Sequence, residues 1–309
     1  MDWYWIALIL TVAIIAPFIL ACFTVFYKIF GRGKEVSLAD ADLDGTQYMP
    51  YKDKICTAIR EVEALRFRKV RIERECSLFG YYYDCGGKNT VIMFHGYRAT
   101  PFNNFAVSCK IFMEKGYNVL MPVQRGHGES GGKFITFGVK ERLDCLAWTD
   151  FAVKEFKPEN IVLYGVSMGS FSLMCISDRL SDKNVKALIC DCGYLNAYDE
   201  IGLEMKRRAG FLYKIMMPFI RLGAIVFGEF DPAKDNACEY LSKASVPVFF
   251  IHGDDDRIVP VECAKRAYEA CASRKSIYYV QNCGHAQSFL ADDGKLSEKL
   301  FDFLNDALK

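Results

Sequence analysis

The pattern of hydrophobic and polar positions divides the chain into an apolar first stretch, a polar segment and a long alternating region. Residues 3–27 carry no charged side chain, and aromatic residues lie at both ends of this run. About 25 apolar residues in a helix are long enough to cross a hydrocarbon layer of about 30 Å. Residues 28–51 are polar with glycines, and in residues 52–66 apolar positions recur every three or four residues. The pattern predicts a transmembrane helix, a juxtamembrane linker and a folded domain over residues 52–309.

From about residue 67 onward, short apolar runs alternate with longer mixed segments. Eight runs have the length and the β-branched or aromatic content of strands, namely 69–73, 78–83, 90–95, 118–122, 161–166, 185–190, 246–252 and 276–280. Five segments have helical length and pattern, namely 100–116, 138–156, 168–180, 260–273 and 293–308. This alternation predicts an α/β fold with a mostly parallel eight-stranded sheet, flanked by helices and edged by an antiparallel first hairpin. Functional residues are expected in loops at the carboxyl ends of the strands.

Residues 193–243 lie between two predicted strands and are too long for an ordinary connection. They predict a small helical cap inserted into the domain. Within it, residues 211–227 are strongly apolar, rich in methionine and aromatic residues, and interrupted only by Lys214 and Arg221. This segment is open to three interpretations: a helix packed on the core, the wall of an apolar acyl pocket, or a face that dips into a bilayer.

Composition narrows the classes of function. The chain has 39 Lys and Arg against 38 Asp and Glu, a net charge of +1, which offers no electrostatic reason to expect a nucleic acid partner. Its 13 cysteines include no CxxC pair, so reduced thiols are favoured over a disulfide scaffold or a zinc ribbon. The sequence Cys190-Asp191-Cys192 lacks a matching cluster of His and Cys residues, and no metal site is expected.

The first stretch is interpreted as an uncleaved anchor. A cleaved signal peptide fits less well because the run is long and no basic residue precedes it, and residues 19–22 resemble a lipoprotein signal only loosely. Lys28, Arg32 and Lys34 follow the span, whereas Asp2 and the amino terminus precede it. The positive-inside rule then predicts that the domain lies in the cytoplasm, where its cysteines would stay reduced.

A serine nucleophile is predicted where the strand 161–166 meets the next helix. Gly165-Val166-Ser167-Met168-Gly169 is a G-x-S-x-G sequence in strand–turn–helix context. Such a turn exposes the serine hydroxyl at the edge of the sheet, and its small flanking residues permit the sharp bend. Ser167 is therefore the candidate nucleophile, although an ordinary tight turn without catalytic function can have the same sequence.

A serine nucleophile needs a histidine base and a carboxylate that orients this base. Of the four histidines, only His285 follows both Ser167 and a candidate acid, as the chain order Ser, Asp, His requires. The acid is expected after the penultimate strand, where Asp254, Asp255 and Asp256 are adjacent. Asp256 is favoured, and Asp254, Asp255 and the earlier Asp191 remain open alternatives.

The developing oxyanion requires two N–H donors. The amide of Met168, directly after the nucleophile, is one candidate. The amide of Tyr97, in the loop that follows the strand 90–95, is the other. Gly96 lets this loop approach closely, and His95 is expected to brace it by hydrogen bonding.

Taken together, HGY at 95–97, RGHGES at 125–130, GVSMG at 165–169, IHGDDDRIVP at 251–260 and GHA at 284–286 resemble the α/β-hydrolase superfamily. The resemblance covers nearly all of residues 67–309 and is nearest to the bacterial branch related to monoglyceride lipases, lysophospholipases and serine aminopeptidases. It implies that the acid lies four residues after the histidine of the HG pair in IHGDDDRIVP, His252, which matches Asp256. It also implies that the residue after the first HG pair lends an oxyanion amide, which matches Tyr97.

These residues predict a membrane-anchored serine hydrolase that uses no cofactor and no metal. Its expected substrate is a carboxylic ester, in particular an acyl lipid or another hydrophobic ester. The first alternative is a peptidase, in which acidic cap residues such as Asp199, Glu200 or Glu204 bind a substrate amine. The second is a catalytically inactive, membrane-tethered binding protein on the same fold.

Overall fold

One eight-stranded sheet forms the centre of the domain in the computed structural model, which describes residues 2–34 and 36–309. Its strands are β1 (Arg68–Glu73), β2 (Ser77–Tyr83), β3 (Asn89–Phe94), β4 (Tyr117–Pro122), β5 (Asn160–Val166), β6 (Val185–Asp191), β7 (Val248–Gly253) and β8 (Lys275–Val280). Their order across the sheet is β1-β2-β4-β3-β5-β6-β7-β8. Only the pairs β1–β2 and β2–β4 are antiparallel among the described strands. The predicted α/β fold with an antiparallel first hairpin is confirmed.

Eleven α-helices are described, and several of them cover the two faces of this sheet. They are α1 (Trp3–Phe30), α2 (Lys52–Ala64), α3 (Pro101–Glu114), α4 (Glu141–Glu155), α5 (Met168–Met174), α6 (Ala197–Ala209), α7 (Tyr213–Gly228), α8 (Ala237–Leu241), α9 (Glu262–Ala270), α10 (Ser288–Ala291) and α11 (Lys295–Ala307). Thr100 caps α3 as its sequence indicates, because its hydroxyl accepts the N–H of Asn103 at 3.0 Å and Pro101 occupies the first turn. The helix predicted over 168–180 is shorter, since α5 ends at Met174 and a 3₁₀ turn follows at Ser177–Arg179.

The central strands are buried on both sides. In β3, Val91 and Met93 belong to the hydrophobic cluster on one face of the sheet, and Ile92 and Phe94 belong to the cluster on the other. Side chains alternate along a strand, so a strand that lies between two helical layers must be apolar at every position. This explains why the sequence shows continuous apolar runs here rather than alternation.

The long first helix is exposed along most of its length and buried at its end. By length and composition, α1 and the stretch Ala197–Gly228 are the two described helical stretches that could cross a membrane. None of the most apolar window of α1 is buried, whereas Phe26 and Phe30 near its end are fully buried. The helix thus runs three residues beyond the predicted span of residues 3–27 and joins the domain.

The polar segment that follows α1 lies against the domain. Leu43 is buried, and the side-chain amide of Gln47 donates to the carbonyl of His285 at 3.2 Å. In return, the side-chain amide of Gln287 donates to the carbonyl of Gln47 at 2.6 Å. The segment predicted as a linker therefore contributes contacts to the loop after β8.

The region predicted as a cap, residues 193–243, holds α6, α7 and α8. Asn196 caps α6, since its side-chain oxygen accepts the N–H groups of Tyr198 and Asp199 at 2.9 and 3.1 Å. The buried side of α7 packs on α6 and on the end of α1. The cap therefore sits between the carboxyl edge of the sheet and the first helix. All 13 cysteines are free thiols.

Candidate active site

Ser167 occupies a strained turn between β5 and α5. Its backbone has φ 54° and ψ −112°, a conformation that non-glycine residues rarely adopt. Glycines permit this geometry on both sides, because a Cβ at Gly165 would lie 2.5 Å from the carbonyl of Gly169, and one at Gly169 would lie 1.9 Å from the carbonyl oxygen of Phe94. The turn presents the hydroxyl at the carboxyl edge of the sheet, as the G-x-S-x-G sequence indicates.

The imidazole of His285 lies between Ser167 and a carboxylate. Nε2 of His285 is 3.0 Å from Oγ of Ser167, and Nδ1 is 2.7 Å from Oδ2 of Asp256. When Nδ1 donates its proton to the carboxylate, Nε2 is left as the acceptor for the serine hydroxyl. The three groups thus form one continuous chain of hydrogen bonds at the loops after β5, β7 and β8.

Asp256 is held in place by three further contacts. Its Oδ1 accepts the backbone N–H groups of Ile258 at 2.8 Å and Val259 at 2.9 Å, and Nε2 of His252 lies 3.2 Å from Oδ2. The same nitrogen of His252 is 3.0 Å from the carbonyl of Val259. Burial alone would raise the pKa of Asp256, but the hydrogen bonds with His252 and His285 outweigh it and hold this pKa well below its usual range. The carboxylate therefore stays charged next to the imidazole.

The other aspartates that the sequence left open have different partners. Among the described residues, the carboxylate of Asp254 accepts only a long hydrogen bond, 3.4 Å, from the N–H of Cys283. Asp255 pairs with Arg257 at 3.1 Å. Asp191 is fully buried and accepts from the hydroxyls of Ser288 at 2.7 Å and Tyr164 at 3.2 Å. Burial raises the pKa of Asp191 to about 6. Among the four candidates, Asp256 is the one whose carboxylate contacts the ring of His285.

The loop after β3 lies next to the nucleophile. A Cβ added to Gly96 would lie 3.4 Å from Cβ of Ser167, and the N–H of Gly96 donates to Oδ1 of Asn104 at 2.7 Å. Within the described residues, the amides of Tyr97 and Met168 donate to no protein acceptor. Tyr97 lines the same pocket as Ser167, and Met168 directly follows Ser167 in the chain. Both residues predicted as oxyanion donors therefore lie near the nucleophile.

Two buried histidines brace this loop. Nε2 of His95 accepts the N–H of Gln124 at 3.0 Å, and Nε2 of His127 accepts the N–H of Arg98 at 2.9 Å. Burial lowers the pKa of both rings, that of His127 to about 4, so both are neutral at physiological pH. The bracing predicted for His95 is confirmed. The similar contribution of His127 was missed, because its RGHG context shows no distinguishing feature in the sequence.

A pocket of about 340 Å³ opens over Ser167 and His285. Its walls come from the end of α1, the loop after β3, the cap and the segment that follows α1. Apolar lining residues are Ile29, Phe137, Val166, Ile201, Met205 and Ile258, and charged ones are Lys28, Arg98, Glu200, Glu204 and Arg208. Tyr48 also lines the pocket, and its segment was predicted only as a linker. No local pattern in that polar segment indicates a place in the site.

One group of potential metal ligands occurs among the described residues, formed by Cys192, Asp256 and His285. Both nitrogens of His285 are engaged by Asp256 and Ser167, and burial raises the pKa of the Cys192 thiol well above its usual value. A protonated thiol and an imidazole with both nitrogens engaged suit the hydrogen-bond chain better than a cation.

Comparisons with known proteins agree with this fold. The sequence profile of the serine aminopeptidase family S33 matches residues 87–225, which is less than half of the chain. The uncharacterised protein YqkD of Bacillus subtilis is 23% identical over 218 residues, covering 70% of this chain and 71% of that protein. Lysophosphatidylserine lipase ABHD12 of Danio rerio is 25% identical over 227 residues, covering 69% of this chain and 57% of that protein. The match thus spans less than two thirds of the lipase.

Among solved structures, the Pyrococcus furiosus esterase Pf2001 superimposes with a TM-score of 0.68 at 24% sequence identity, covering 81% of this chain and 94% of the esterase. This likeness shows a shared fold. Strand order, site geometry and sequence matches together define the chain as an α/β-hydrolase. It is a hydrolase.

Proposed function

We propose that this chain is a membrane-anchored serine hydrolase that cleaves hydrophobic carboxylic esters. The observation that carries the proposal is the continuous hydrogen-bond chain Asp256–His285–Ser167 at the base of a largely apolar pocket. Such a chain makes a serine hydroxyl nucleophilic without an added metal or cofactor.

In the first step, Oγ of Ser167 attacks the ester carbonyl and its proton passes to Nε2 of His285. The tetrahedral intermediate carries a negative oxygen, for which the amides of Tyr97 and Met168 are the proposed donors. His285 then protonates the leaving alcohol, and an acyl group remains on Ser167. In the second step, water loses a proton to the same nitrogen and attacks the acyl carbonyl. His285 then returns this proton to Oγ of Ser167 as the carboxylic acid is released. The charge of Asp256 stabilises the imidazolium in both steps.

A hydrophobic acyl group fits the pocket. Its lining includes several aliphatic and aromatic side chains as well as Met205, and it is bounded by the end of the apolar helix α1. Burying an acyl methylene in such a wall contributes about 0.8 kcal/mol. The similarity to a lysophosphatidylserine lipase also favours acyl lipids as substrates.

The test is hydrolysis of a series of 4-nitrophenyl esters by the full-length chain reconstituted in vesicles, with amino acid 4-nitroanilides as the comparison. We expect ester turnover, with kcat/KM rising several-fold from short to medium acyl chains because each added methylene is buried. A chain that hydrolyses the anilides and leaves the esters intact would contradict the proposal.

A peptidase is the second candidate, and a specific observation favours it. The matching family profile is that of a serine aminopeptidase, and Glu200 and Glu204 of the cap line the pocket where they could meet a substrate amine. The same comparison of esters and anilides separates the two functions. A catalytically inactive binding protein is disfavoured, because such a protein has no need for the strained turn at Ser167 or for the hydrogen bonds of His285.

We propose that α1 is retained as a membrane anchor and that the domain lies on the cytoplasmic side. The exposed apolar run of α1 supports the anchor, and Lys28, Arg32 and Lys34 after the span support the orientation. An epitope added after Lys309 should be reached by antibody only after cells are permeabilised.

A further inference from the structure

The cap has an exposed apolar surface on α7. Six apolar side chains on this helix or immediately before it are between 44% and 79% exposed: Phe211, Leu212, Ile215, Leu222, Ile225 and Val226. They recur at helical spacing and therefore project from one side of the helix, here called the α7 face. The opposite side, which includes Met217 and Ile220, is buried in the domain. A contiguous apolar surface of this kind marks an interaction site.

The end of α1 fixes the position of α7. The ring of Phe227 lies 5.0 Å from that of Phe23 and 5.7 Å from that of Phe26. A Cβ at Gly223 would lie 3.1 Å from Cβ of Phe26, so the two helices approach closely at this point. The cap helix is therefore packed directly against the last two turns of α1.

The length of α1 places this contact at the membrane surface. Its 28 residues extend about 42 Å, and about 20 of them cross the hydrocarbon core. When the helix enters the core at Trp3, the core ends near Phe23. The residues from Phe23 to Phe30 then cross the interfacial layer, and α7 lies beside them.

We infer that the α7 face rests in the interfacial layer of the leaflet next to the end of α1, with the phospholipid bilayer as its partner. This rests on the anchor in the proposed function. Charge supports the bilayer as the occupant, because Lys28 and Lys214 are exposed beside the apolar face and can meet anionic headgroups. Arg221 is paired with Asp231 at 2.7 Å and adds no unpaired charge.

The arrangement has a consequence for substrate entry. Lys28 and Ile29, in the last turn of α1, line the pocket over Ser167. Because this turn lies at the level of the headgroups, the pocket opens next to the leaflet. A long-chain ester then reaches the pocket from the bilayer without passing through water.

Photolabelling tests this surface without changing the protein. The full-length chain is reconstituted in phosphatidylcholine and phosphatidylglycerol vesicles that contain a phospholipid with a diazirine in its acyl chain. After irradiation and trypsin digestion, we expect label in α1 and in peptides 215–221 and 222–234 of α7. Peptide 61–66 is the matched control, since its Leu65 is 44% exposed on the domain.

Each result decides the question. Label in α1 with no more label in the α7 peptides than in peptide 61–66 overturns the inference and leaves the anchor standing. If α7 is unlabelled in this way and a protein cross-linker joins α7 peptides of two chains, a second copy of the chain covers this face instead of the bilayer, and the inference is wrong. Absence of label from α1 contradicts the anchor itself, and the inference falls with it.

A variant pair gives a functional test. Changing both Ile215 and Leu222 to Glu should lower hydrolysis of a long-chain ester in vesicles by about tenfold. The reason is that inserting a charged carboxylate into the apolar part of the interfacial layer is unfavourable. Hydrolysis of a water-soluble butanoate ester should stay within about twofold, which also shows that the variant is folded. Leu65→Glu should leave both activities unchanged. Equal loss of the two activities, or no loss of either, would count against docking of this face.

A separate observation concerns a buried carboxyl group in the pocket. Glu200, in the first turn of α6, is 7% exposed and lines the same pocket as Ser167 and His285. Its Oε2 has no hydrogen-bond partner among the described residues. Buried carboxyl oxygens are normally satisfied, so an unused one in a pocket wall indicates a ligand.

The nearest cations are directed elsewhere. The guanidinium of Arg207 donates to Glu204 at 3.1 Å and to the carbonyl of Ile258 at 2.6 Å, and that of Arg208 donates to Glu204 at 2.5 Å. Burial raises the pKa of Glu200 to about 8, with Arg207 opposing the shift and Asp256 and Glu204 adding to it. The group is therefore mostly uncharged at neutral pH, and it can both donate and accept a hydrogen bond.

The geometry points to Glu200 as a specificity-determining residue that binds a free hydroxyl group of the substrate, near the scissile ester. A substrate ammonium fits less well, because Lys28, Arg98 and Arg208 line the same pocket. This deepens the proposed function, since it presupposes ester hydrolysis at Ser167. It adds the class of substrate, an ester with a hydroxyl on its alcohol or acyl part.

Matched esters test this role. 2-Hydroxyethyl butanoate is compared with propyl butanoate, and a 4-hydroxybutanoate ester with the corresponding pentanoate, so that a hydroxyl replaces a methyl on either side. We expect about a tenfold preference in KM for the hydroxyl in one pair. Glu200→Leu should remove that preference, and Glu200→Gln should retain most of it.

Turnover of the esters without a hydroxyl monitors folding and the proposed hydrolase activity in all three proteins. If the wild type does not hydrolyse these esters, the proposed ester hydrolysis is contradicted. Retention of the hydroxyl preference in Glu200→Leu would overturn the role of Glu200. Equal impairment of the Gln and Leu variants would show that the substrate requires the carboxylate charge, and the hydroxyl assignment would then be wrong.

Discussion

Replacing Ser167 with alanine should abolish covalent labelling of the chain by a fluorophosphonate and lower ester kcat by about 10⁶-fold. The probe reacts with an activated serine hydroxyl, which in this chain is the one 3.0 Å from Nε2 of His285. Without this oxygen, neither the acyl-enzyme nor the phosphonylated adduct can form. Gel fluorescence of the reconstituted protein measures labelling, and release of 4-nitrophenol measures turnover.

Ser172→Ala is the matched control for this change. Ser172 is buried on the same short helix α5, and its hydroxyl donates to the carbonyl of Met168 at 2.8 Å. Removing it tests whether a small local change in α5 is sufficient to stop labelling. We expect this variant to be labelled like the wild type. Labelling of Ser167→Ala at the wild-type level would assign the nucleophile to another residue.

Replacing Asp256 with asparagine should lower kcat by about 10⁴-fold and leave KM little changed. An amide can donate a proton to Nδ1 of His285, which stabilises the tautomer with the proton on Nε2. That tautomer cannot accept the proton of Ser167. The imidazolium formed in each step also loses its charged partner, which lies 2.7 Å from Nδ1. Steady-state kinetics with a water-soluble ester measures both constants.

Asp254→Asn is the comparison, because the two aspartates are two residues apart in the same loop. Within the described part of the chain, the carboxylate of Asp254 accepts one long hydrogen bond, from the N–H of Cys283, and makes no hydrogen bond to the ring of His285. Its kcat should stay within about threefold of the wild type. A greater decrease of kcat in Asp254→Asn than in Asp256→Asn would show that Asp254, and not Asp256, is the acid that orients His285.

The sheet and the nucleophile turn were predictable because their signals are local. A strand buried between two helical layers requires a continuous apolar run, and β3 to β7 show such runs. The sharp turn at Ser167 requires small residues at fixed offsets, and Gly165 and Gly169 supply them. Both signals depend on residues that are adjacent in the chain.

The residues alone favoured Asp256 but left Asp191, Asp254 and Asp255 open, because all four lie at or just beyond the carboxyl ends of strands at the same edge of the sheet. Resemblance to the α/β-hydrolases pointed to Asp256 as well. The structure gives the physical reason, since this carboxylate contacts His285 and receives the N–H groups of Ile258 and Val259. His252, which lies 3.2 Å from the same carboxylate, was not expected there.

The sequence by itself determined the class of fold, the apolar first helix and the residues proposed for the chemistry at Ser167 and His285. These follow from periodicity, composition and short motifs, in which neighbouring residues share one constraint. Only the tertiary structure decided that the end of α1 and Tyr48 form walls of the pocket, and that Glu200 is buried there with an unused oxygen. Such contacts join segments that are far apart in the chain, and their geometry depends on how the helices pack on the sheet.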